Sequence, residues 1–309
     1  MKAIQIHEFG GPEVLKFEEA TRPTPAPDEV LIKVYASGVN PVDWKIRAGL
    51  AQKKFPVHLP LIPGWDVSGE IEEVGSNILN FKKGNEVYSR PDPTRNGSYA
   101  EYVVVKANQV NNKPKSINHE KAAAVPLAGL TAWQGLFDFG KLEPGQKVLI
   151  HAAPGGVGTF AVQFAKWKGA YVIGTASEEN IDFLYELGVD EVFDYKTEKF
   201  EDKVKDVDLV FDLIGGDTQK RSLKVIKKGG RLITTVQPQN QDEAKSKNIH
   251  LEGFMAQSLP EELQQMADLI DSGKMKPIVS QIFPLKQAAE AHRKIETGHT
   301  RGKIVLKVI

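Results

Sequence analysis

Three glycines stand close together in the middle of the chain, between a buried strand and a helix. The run 148–150 is short and apolar, as in a strand buried on both faces. Gly155, Gly156 and Gly158 follow it, and apolar residues then recur at helical spacing. A strand, a glycine turn and a helix together present unpaired amide groups that hold a pyrophosphate. Because Ala152 replaces the usual first glycine, the turn taken alone also fits an ordinary glycine turn.

Short apolar segments alternate with helical or polar stretches downstream of this turn. A helix over 181–187 is expected to end at Gly188. The predicted strands cover residues 171–174, 192–193, 208–213 and 232–236. This alternation predicts a parallel, doubly wound sheet, and in that context the glycine turn predicts a dinucleotide site. Ile214 and Gly215 follow the strand predicted at 208–213, where such a sheet opens its crevice.

The end of the strand predicted at 171–174 indicates which dinucleotide would bind. An NAD site places a carboxylate there, which accepts a hydrogen bond from the ribose 2′-hydroxyl. This chain has Thr175 and Ser177 instead, so two hydroxyls face a 2′-phosphate and NADPH is favoured. Glu178 and Glu179 follow at once and leave NADH open as an alternative. We prefer to interpret them as acids that complement the dipole of the next helix.

Composition narrows the class of protein. Forty Lys and Arg residues balance forty Asp and Glu residues, so the charge favours neither nucleic acid nor a membrane surface. No apolar run approaches the roughly 18 residues of a spanning helix, and the N-terminal residues lack the apolar core of a signal peptide. The absence of cysteine excludes disulfides and thiolate metal sites. We therefore expect a cytoplasmic protein with no nucleic-acid or membrane partner.

A chain of 309 residues predicts two domains. Residues 1–125 alternate short strands with turns, which is typical of a mostly β barrel or sandwich. Residues 126–260 contain the doubly wound sheet. Residues 261–309 predict two helices and a last strand, and we expect this tail to return to the first domain. The strands predicted for the first domain cover residues 2–6, 14–17, 30–35, 67–74, 86–88 and 99–105.

Several motifs occur in the order in which a known superfamily carries them. They are Ser37-Gly38-Val39-Asn40-Pro41-Val42-Asp43, Pro63-Gly64-Trp65-Asp66-Val67-Ser68-Gly69, Gly129-Leu130-Thr131-Ala132, His151-Ala152-Ala153 with Gly155-Gly156-Val157-Gly158, Asp194-Tyr195 and Gly302-Lys303-Ile304-Val305-Leu306. The chain thereby resembles the medium-chain dehydrogenase/reductase superfamily, and within it the zinc-independent quinone oxidoreductase and zeta-crystallin group. The resemblance implies an α/β protein with a GroES-like catalytic domain and a Rossmann domain.

The chain departs from zinc-dependent relatives at the metal ligands. Those relatives use a Cys and a His of the first domain, where this chain has Asn40 and Trp65, so we expect no metal. Trp65 is then either a wall of the substrate pocket or part of the core. Without a Lewis acid, the easier hydride acceptors are conjugated, because an enolate or quinol oxygen delocalises the charge. The expected activity is reduction of quinones or α,β-unsaturated carbonyls (enals and enones) by NADPH.

Asn40 and Lys45 are the candidate catalytic residues. The resemblance places Asn40 beside the nicotinamide, where its amide would donate to a carbonyl oxygen, although it could simply fix the turn ahead of Pro41. Lys45 matches plant-type enone and quinone reductases and would stabilise an enolate or supply a proton. A solvated surface lysine is the alternative. Asp43 and Asp66 could form an acid pair, but we expect each to orient a neighbouring loop.

The resemblance also assigns residues to the cofactor. Thr131, expected near a helix start, would contact the nicotinamide side, and Tyr195 would contact the adenosine end unless it is a plain surface tyrosine. Arg301 and Lys303 are weaker candidates for phosphate contact, and Pro154 removes one amide donor beside the pyrophosphate. The predicted cofactor-binding residues are Thr131, Gly155, Gly156, Val157, Gly158, Thr175, Ser177, Tyr195, Ile214 and Gly215.

Two other functions and one assembly remain open at this point. The protein could bind NADPH without turnover, as a sensor or structural protein, or it could be an enoyl reductase for a carrier-bound acyl chain. No carrier domain or large basic docking patch supports the second alternative. The resemblance further implies a homodimer formed through sheet edges of the Rossmann domain. His151, at a strand end, is expected to be structural.

Overall fold

The computed structural model describes residues 1–309, which form two compact units. The first unit contains residues 1–127 and 258–309, and the second contains residues 128–257. The strands are β1 (Lys2–Gln5), β2 (Lys16–Glu19), β3 (Glu29–Val39), β4 (Val67–Val74), β5 (Glu86–Ser89), β6 (Tyr102–Lys106), β7 (Val110–Asn112), β8 (Lys147–Ile150), β9 (Tyr171–Ala176), β10 (Glu191–Asp194), β11 (Val207–Asp212), β12 (Ile226–Thr234), β13 (His250–Gly253), β14 (Val279–Pro284) and β15 (Lys303–Lys307).

Helices connect most of these strands. They are α1 (Pro41–Arg47), α2 (His119–Ala123), α3 (Pro126–Trp133), α4 (Gly156–Lys168), α5 (Ile181–Glu186), α6 (Phe200–Lys203), α7 (Gly216–Ser222), α8 (Gln241–Ser246), α9 (Pro260–Asp271) and α10 (Ala288–Glu296). A π-helical segment, Gln134–Phe139, continues α3. No helix is both long enough and apolar enough to cross a membrane.

The first unit is built on a mostly antiparallel sheet that includes the chain's last strand. The strand order is β14-β15-β3-β4-β5-β7, and β6 also pairs with β3. Nearly every residue of β3 is buried, because the long strand is paired along its length and covered by apolar side chains. Ile304 of β15 lies opposite Val39 of β3 in antiparallel register, so residues far apart in sequence meet in this sheet.

The second unit is a six-stranded parallel sheet, which confirms the predicted doubly wound α/β fold. The strand order is β10-β9-β8-β11-β12-β13. The chain first builds outward from β8 to β10 and then returns to place β11 on the other side of β8, so the order reverses at β8. Ligands of open parallel sheets bind at the carboxyl ends of the strands at such a reversal. The glycine turn that follows β8 therefore occupies the expected place for a cofactor.

Helix α4 owes its position to a one-sided apolar pattern. Phe160 and Phe164, one turn apart, are fully buried, whereas Lys166 and Lys168 are more exposed in the last turn. Gly169 ends the helix with a φ of +86°, a left-handed conformation that glycine adopts without steric cost. The length and direction of α4 thus follow from its sequence.

One predicted strand differs in its bounds from the structure. Strand β2 covers Lys16–Glu19 rather than 14–17, because Pro12 begins a 3₁₀ turn that includes Val14. Strand β12 begins at Ile226, within a lysine-rich stretch near 224–228. Ile226 pairs with Val207 of β11, and the register then shifts to Leu209 opposite Arg231, so the exposed lysines of β12 lie in the irregular stretch between these two pairs. The domain limits predicted after residues 125 and 260 lie within a few residues of the observed units.

Candidate functional site

The turn after β8 brings the backbone of α4 close to the end of the strand. Ala152 adopts a φ of +50°, the left-handed conformation that the missing glycine would have supplied. A Cβ on Gly158 would lie 2.4 Å from the carbonyl oxygen of Ala152, so only glycine allows this close packing. Gly155 precedes α4 in an extended conformation and has no side-chain cap. The first amides of α4, from Gly156 onward, therefore face outward as in an anion site.

The Thr175 hydroxyl is committed to the protein interior. Ser222 Oγ donates to the Thr218 carbonyl at 2.7 Å, so it must accept from His151 Nε2 at 2.8 Å. His151 Nδ1 is then the unprotonated nitrogen and accepts from Thr175 Oγ1 at 3.1 Å. The single hydroxyl hydrogen of Thr175 is thereby used, which argues against its predicted bond to a 2′-phosphate.

His151 is structural, as expected, and neutral. Its ring is buried, and burial lowers its pKa to about 4. Its two hydrogen bonds connect the end of β8 with the end of β9 and with α7.

The hydroxyl of Ser177 remains available for the hydrogen bond to a 2′-phosphate that the sequence predicts. Its Oγ accepts from Asn180 Nδ2 at 3.1 Å, and this bond does not use the hydroxyl hydrogen. Glu178 and Glu179 lie in the 3₁₀ turn that leads into α5, which agrees with acids near a helix start. Ser177 therefore remains a possible donor at the end of β9.

The sequence analysis did not identify Lys196, a cation near the end of β9. Tyr195 follows β10, is half exposed, and donates its backbone N–H to the carbonyl of Ala176 at 3.0 Å. The next residue, Lys196, forms an exposed ion pair with Glu179 at 4.0 Å. The signal was available, because adjacent parallel strands end at the same sheet edge and Lys196 follows β10 as Ser177 follows β9.

The turn after β11 is organised by Asp212. Its Oδ1 accepts from the backbone amides of Ile214 at 3.0 Å and Gly215 at 2.9 Å, and its Oδ2 accepts from Gln219 and Thr234. Gly215 has a φ of +80°, and Ile214 exposes about half of its side chain. By holding this turn, Asp212 places the exposed apolar side chain of Ile214 at the carboxyl edge of the sheet.

Thr131 does not lie near a helix start. It occupies the sixth position of α3, which begins at Pro126, and only 8% of it is exposed. The expectation was wrong because proline is favoured in the first turn of a helix, and Pro126 therefore marks the start. Thr131 precedes the π-helical segment Gln134–Phe139 by three residues.

Asn40, at the end of β3, belongs to a buried polar cluster of the first unit. Its amide Nδ2 donates to Asp66 Oδ2 at 2.8 Å, and its Oδ1 accepts from the Lys303 ammonium. Lys303 also donates to the Val39 carbonyl and to Asp66 Oδ2, both at 3.2 Å. Lys303 is therefore buried beside Asn40 and unsuited to the phosphate contact predicted for it. One of the two amide hydrogens of Asn40 is used by Asp66, which leaves the other for a carbonyl oxygen.

Asp43 and Asp66 act as the sequence analysis expected, by orienting neighbouring loops. Asp66 Oδ1 accepts from the backbone N–H of Leu127 at 2.6 Å. Asp43 Oδ2 accepts from the backbone N–H of Asn40 at 2.7 Å and from the Tyr99 hydroxyl at 3.1 Å. Burial, with a smaller contribution from the nearby charge of Asp66, raises the pKa of Asp43 to about 7.

Lys45 and Trp65 differ sharply in their surroundings. Lys45 is an exposed residue of α1, with its ammonium 5.7 Å from the Trp44 ring centre, and it lies outside the hydrogen-bonded cluster of Asn40. Trp65 is 5% exposed and packs edge-on against Phe55 at 4.8 Å. The same indole lines a cavity of about 10 Å³ together with Asp43. Trp65 is thus a core residue that also borders a small cavity.

The side chains of this site do not fit a zinc ion. The chain has no cysteine, and no group of three or more His, Asp or Glu residues converges in a way that could hold a metal. The sequence resemblance aligns Asn40 and Trp65 with two ligands of zinc-dependent relatives, and neither side chain is a usual zinc ligand. No step is therefore assigned to a metal.

Comparison with known proteins identifies the family. Residues 26–115 match the alcohol dehydrogenase GroES-like domain model, and residues 187–306 match the zinc-binding dehydrogenase model. The chain is 36% identical to the zebrafish (Danio rerio) mitochondrial NAD(P)H oxidoreductase RTN4IP1, over all of this chain and 92% of that protein. The chain belongs to the zinc-independent quinone oxidoreductase group of the medium-chain dehydrogenase/reductase superfamily.

Solved structures of quinone oxidoreductases share the whole fold. The quinone oxidoreductase of Coxiella burnetii is 38% identical, with a TM-score of 0.94 over 100% of this chain and 99% of that one. The Escherichia coli quinone oxidoreductase, solved in complex with NADPH, is 31% identical, with a TM-score of 0.91 over the full length of both chains. These comparisons confirm the resemblance and the predicted combination of a GroES-like and a Rossmann domain. The name of the matched zinc-binding domain describes its family and does not change the unsuitable donor set of this chain.

Proposed function

We propose that this protein is a zinc-independent, NADPH-dependent oxidoreductase that transfers hydride to quinones and to α,β-unsaturated carbonyls. The observation that carries the proposal is the buried cluster of Asn40, Asp66 and Lys303. Asn40 is the residue that the sequence resemblance aligns with a metal ligand of zinc-dependent relatives. The cluster supplies hydrogen-bond donors and a positive charge in place of a Lewis acid. Donors of this kind suffice for acceptors that delocalise the developing charge.

The second unit supports NADPH as the cofactor, which supplies the hydride when bound. The amides of Gly156, Val157 and Gly158 would hold the pyrophosphate at the start of α4. The other proposed cofactor contacts are Thr131, Gly155, Ser177, Tyr195, Lys196, Ile214 and Gly215. The NADPH complex of the Escherichia coli relative agrees with this cofactor.

Preference for NADPH over NADH is proposed to come from the ends of β9 and β10. No carboxylate ends β9, and Lys196 could pair with a 2′-phosphate instead of with Glu179. An exposed ion pair such as that of Lys196 and Glu179 contributes little stability, so exchanging its partner costs little.

At the acceptor, Asn40 and Lys45 have different proposed roles. Asn40 would donate its remaining amide hydrogen to the carbonyl oxygen, and the ammonium of Lys303 behind it strengthens this donor. Lys45 is exposed and could deliver the proton that completes reduction. One hydride and one proton together convert the C=C–C=O group of an enone to a saturated carbonyl, or add across a quinone to give the quinol.

The test is a measurement of NADPH and NADH oxidation in the presence of a chelator. The acceptors are a 1,4-quinone, a short enal, a cyclic enone and a saturated aldehyde. Turnover of the conjugated acceptors, with NADPH preferred, is the expected result. Turnover of the saturated aldehyde alone would contradict the proposal, and NADPH binding without any turnover would favour a sensor.

Single variants assign the roles within the first unit. Asn40→Ala should lower kcat/KM for the quinone by about 10–100-fold, since a charge-stabilising donor is lost. Lys45→Ala should lower kcat by about tenfold or more, and Lys54→Ala serves as its control, because Lys54 is also exposed and also lies near an aromatic ring. Full turnover of either site variant would remove that residue from the mechanism.

Assembly, location and an acyl substrate are also proposals. We propose a homodimer that forms through an edge of the second unit's sheet, where β13 is the last strand. Light scattering would detect it, and a monomeric mass would contradict it.

We propose a cytoplasmic location, whereas the zebrafish relative is described as mitochondrial. Fractionation of cells of the source organism would decide between them. Reduction of a carrier-bound enoyl chain ranks below free enals and enones.

A further inference from the structure

A chain of buried polar side chains lies behind Asn40 in the first unit. It starts at Arg47 on α1, passes through His292 on α10 and Tyr99, and ends at Asp43 on α1. All four side chains are almost completely buried. The proposed reaction does not use any of them, so the presence of four hydrogen-bonded polar side chains in the interior needs a reason.

The hydrogen bonds of this chain have one direction. Arg47 can only donate, so its Nη1 donates to His292 Nδ1 at 3.1 Å and the ring proton of His292 sits on Nε2. His292 Nε2 then donates to the Tyr99 oxygen at 3.2 Å, and the Tyr99 hydroxyl donates to Asp43 Oδ2 at 3.1 Å. Burial lowers the pKa of His292 to about 3, so this ring stays neutral and the direction is maintained. Every member donates toward Asp43.

The two oxygens of Asp43 are treated differently. Oδ2 accepts from both Tyr99 and the backbone N–H of Asn40. Oδ1 is buried and has no hydrogen-bond partner. Asp43 lines the cavity of about 10 Å³, which is close to the volume that one water molecule needs. Oδ1 can therefore carry a proton while Oδ2 keeps both of its donors.

We propose that Asp43 is a positioning residue whose protonation state sets how firmly Asn40 is held for the acceptor. When Asp43 is charged, its bond to the Asn40 backbone is charge-assisted and strong, and when it is neutral this bond weakens. The inference rests on the proposed function, because it assigns the substrate-facing role to Asn40. Asp43 itself is not a proton donor to the acceptor in this proposal.

The charged form of Asp43 depends on groups from several elements. The pKa of Asp43 is raised to about 7 chiefly by burial, and Asp66 adds to this, whereas the backbone N–H of Asn40, then Lys303 and the Tyr99 hydroxyl, oppose it. Glu296 on α10 pairs with Arg47 at 2.7 Å and keeps that guanidinium in place. The titratable and charged groups around Asp43 are Arg47 on α1, Asp66 before β4, Arg95 beside the cavity, Tyr99 before β6, His292 on α10 and Lys303 on β15.

The kinetic test is the pH dependence of KM for a 1,4-quinone at saturating NADPH, from about pH 5.5 to about pH 8.5. For the natural protein, we expect KM to fall about fivefold as pH rises through about 7, with a smaller change in kcat. Asp43→Asn should have a KM that does not change across this range and stays near the acidic value. Asp28→Asn, which alters an exposed carboxylate of the same unit, should behave like the natural protein.

Tyr99→Phe gives a second, graded test. It removes a donor that stabilises the charged form of Asp43, so the transition in KM should move to higher pH. An unchanged pH profile in Asp43→Asn would overturn the proposal. A pH effect confined to kcat would also overturn it, because Asp43 would then be supplying a proton rather than positioning Asn40.

A spectroscopic measurement separates this inference from the proposed activity. Carbon-13 NMR of protein labelled at the aspartate carboxyl carbons should show one resonance that titrates near pH 7 and is missing in Asp43→Asn. This result requires no substrate. If the protein reduces no quinone but the resonance titrates, the proposed function fails and the titrating group stands. If Asp43 titrates like an exposed aspartate, the inference fails whatever the activity.

Discussion

Thr175 and Ser177 end the same strand, yet their hydroxyl groups differ in what they can bind. Thr175 donates to His151 in the interior, whereas the hydroxyl hydrogen of Ser177 is not used by its bond to Asn180. Recognition of a 2′-phosphate therefore shifts from the predicted pair of hydroxyls to Ser177 with the cation of Lys196.

This assignment predicts a selective effect of Lys196→Met. We expect KM for NADPH to rise about tenfold and KM for NADH to change little, because only NADPH offers a phosphate to the ammonium. The control is Lys147→Met, an exposed lysine at the amino end of β8, on the opposite edge of the parallel sheet. Equal changes for both cofactors would show that Lys196 acts on the fold and not on the 2′-phosphate.

His151 predicts a pH dependence of stability. Its pKa is about 4 in the folded protein against about 6.5 when unfolded, so the unfolded state binds more protons between these values. Stability is present above pH 6.5 and is lost as pH falls toward 4. At pH 4.5 the loss from His151 is on the order of 2–3 kcal/mol.

Urea unfolding at neutral pH and near pH 4.5 tests this dependence. His151→Gln should lose less stability on acidification than the natural protein, and His250→Gln, at an exposed position of β13, should lose as much. An equal acid sensitivity in all three proteins would mean that His151 titrates normally.

At the scale of elements, the junction of β8 and α4 depends on one close approach. In Gly158→Ala the new methyl group would lie 2.4 Å from the Ala152 oxygen and 2.6 Å from the Ala153 oxygen, so the turn must move. We expect NADPH affinity to fall at least tenfold, because the amides that hold the pyrophosphate move with the turn. Isothermal titration with NADPH measures this.

Gly155→Ala is the matched control for that substitution. Its methyl group would lie 3.2 Å from the same Ala152 oxygen, and the φ of −74° suits any residue. We expect a change in NADPH affinity of about threefold or less. If Gly155→Ala weakens binding as much as Gly158→Ala, the close approach at residue 158 does not explain the glycine.

The helices and strands could be predicted from the sequence more readily than the hydrogen bonds that connect the residues of the site. Apolar runs and helix ends such as Gly169 and Gly188 depend on neighbouring residues, so they could be predicted locally. Lys303 was interpreted as a phosphate contact because nothing near it in sequence indicates that it pairs with Asp66. His292 did carry a local signal, since it lies four residues after Ala288 on the buried face of α10. Its partners, Tyr99 and Arg47, follow only from the tertiary fold.

At the scale of the whole molecule, the chain's last strand stabilises its first unit. Leu306 of β15 is fully buried and lies opposite Ser37 of β3. Leu306→Ala should lower the free energy of unfolding of the first unit by about 2–5 kcal/mol, through lost burial and the cavity left behind. Limited proteolysis with mass spectrometry should then show faster cleavage within residues 1–127, although the substitution is near the C-terminus.

The counterpart in the second unit is Leu149→Ala, in the central strand β8. It should expose residues 128–257 to the protease and weaken NADPH binding, whereas Leu306→Ala should leave NADPH affinity within about threefold of the natural value. Cleavage limited to residues near 306 in Leu306→Ala would contradict a shared sheet.

The pairing of β15 with β3 also bears on how the protein is made. During synthesis on the ribosome, residues 1–127 leave first but lack their β14 and β15 partners until residues 279–307 have emerged. The second unit needs only residues 128–257 and is complete earlier. Multidomain chains usually fold from the N-terminal domain onward. Here we expect the reverse order. The nascent nucleotide-binding unit folds while residues 1–127 still lack the strand β15 that completes their sheet.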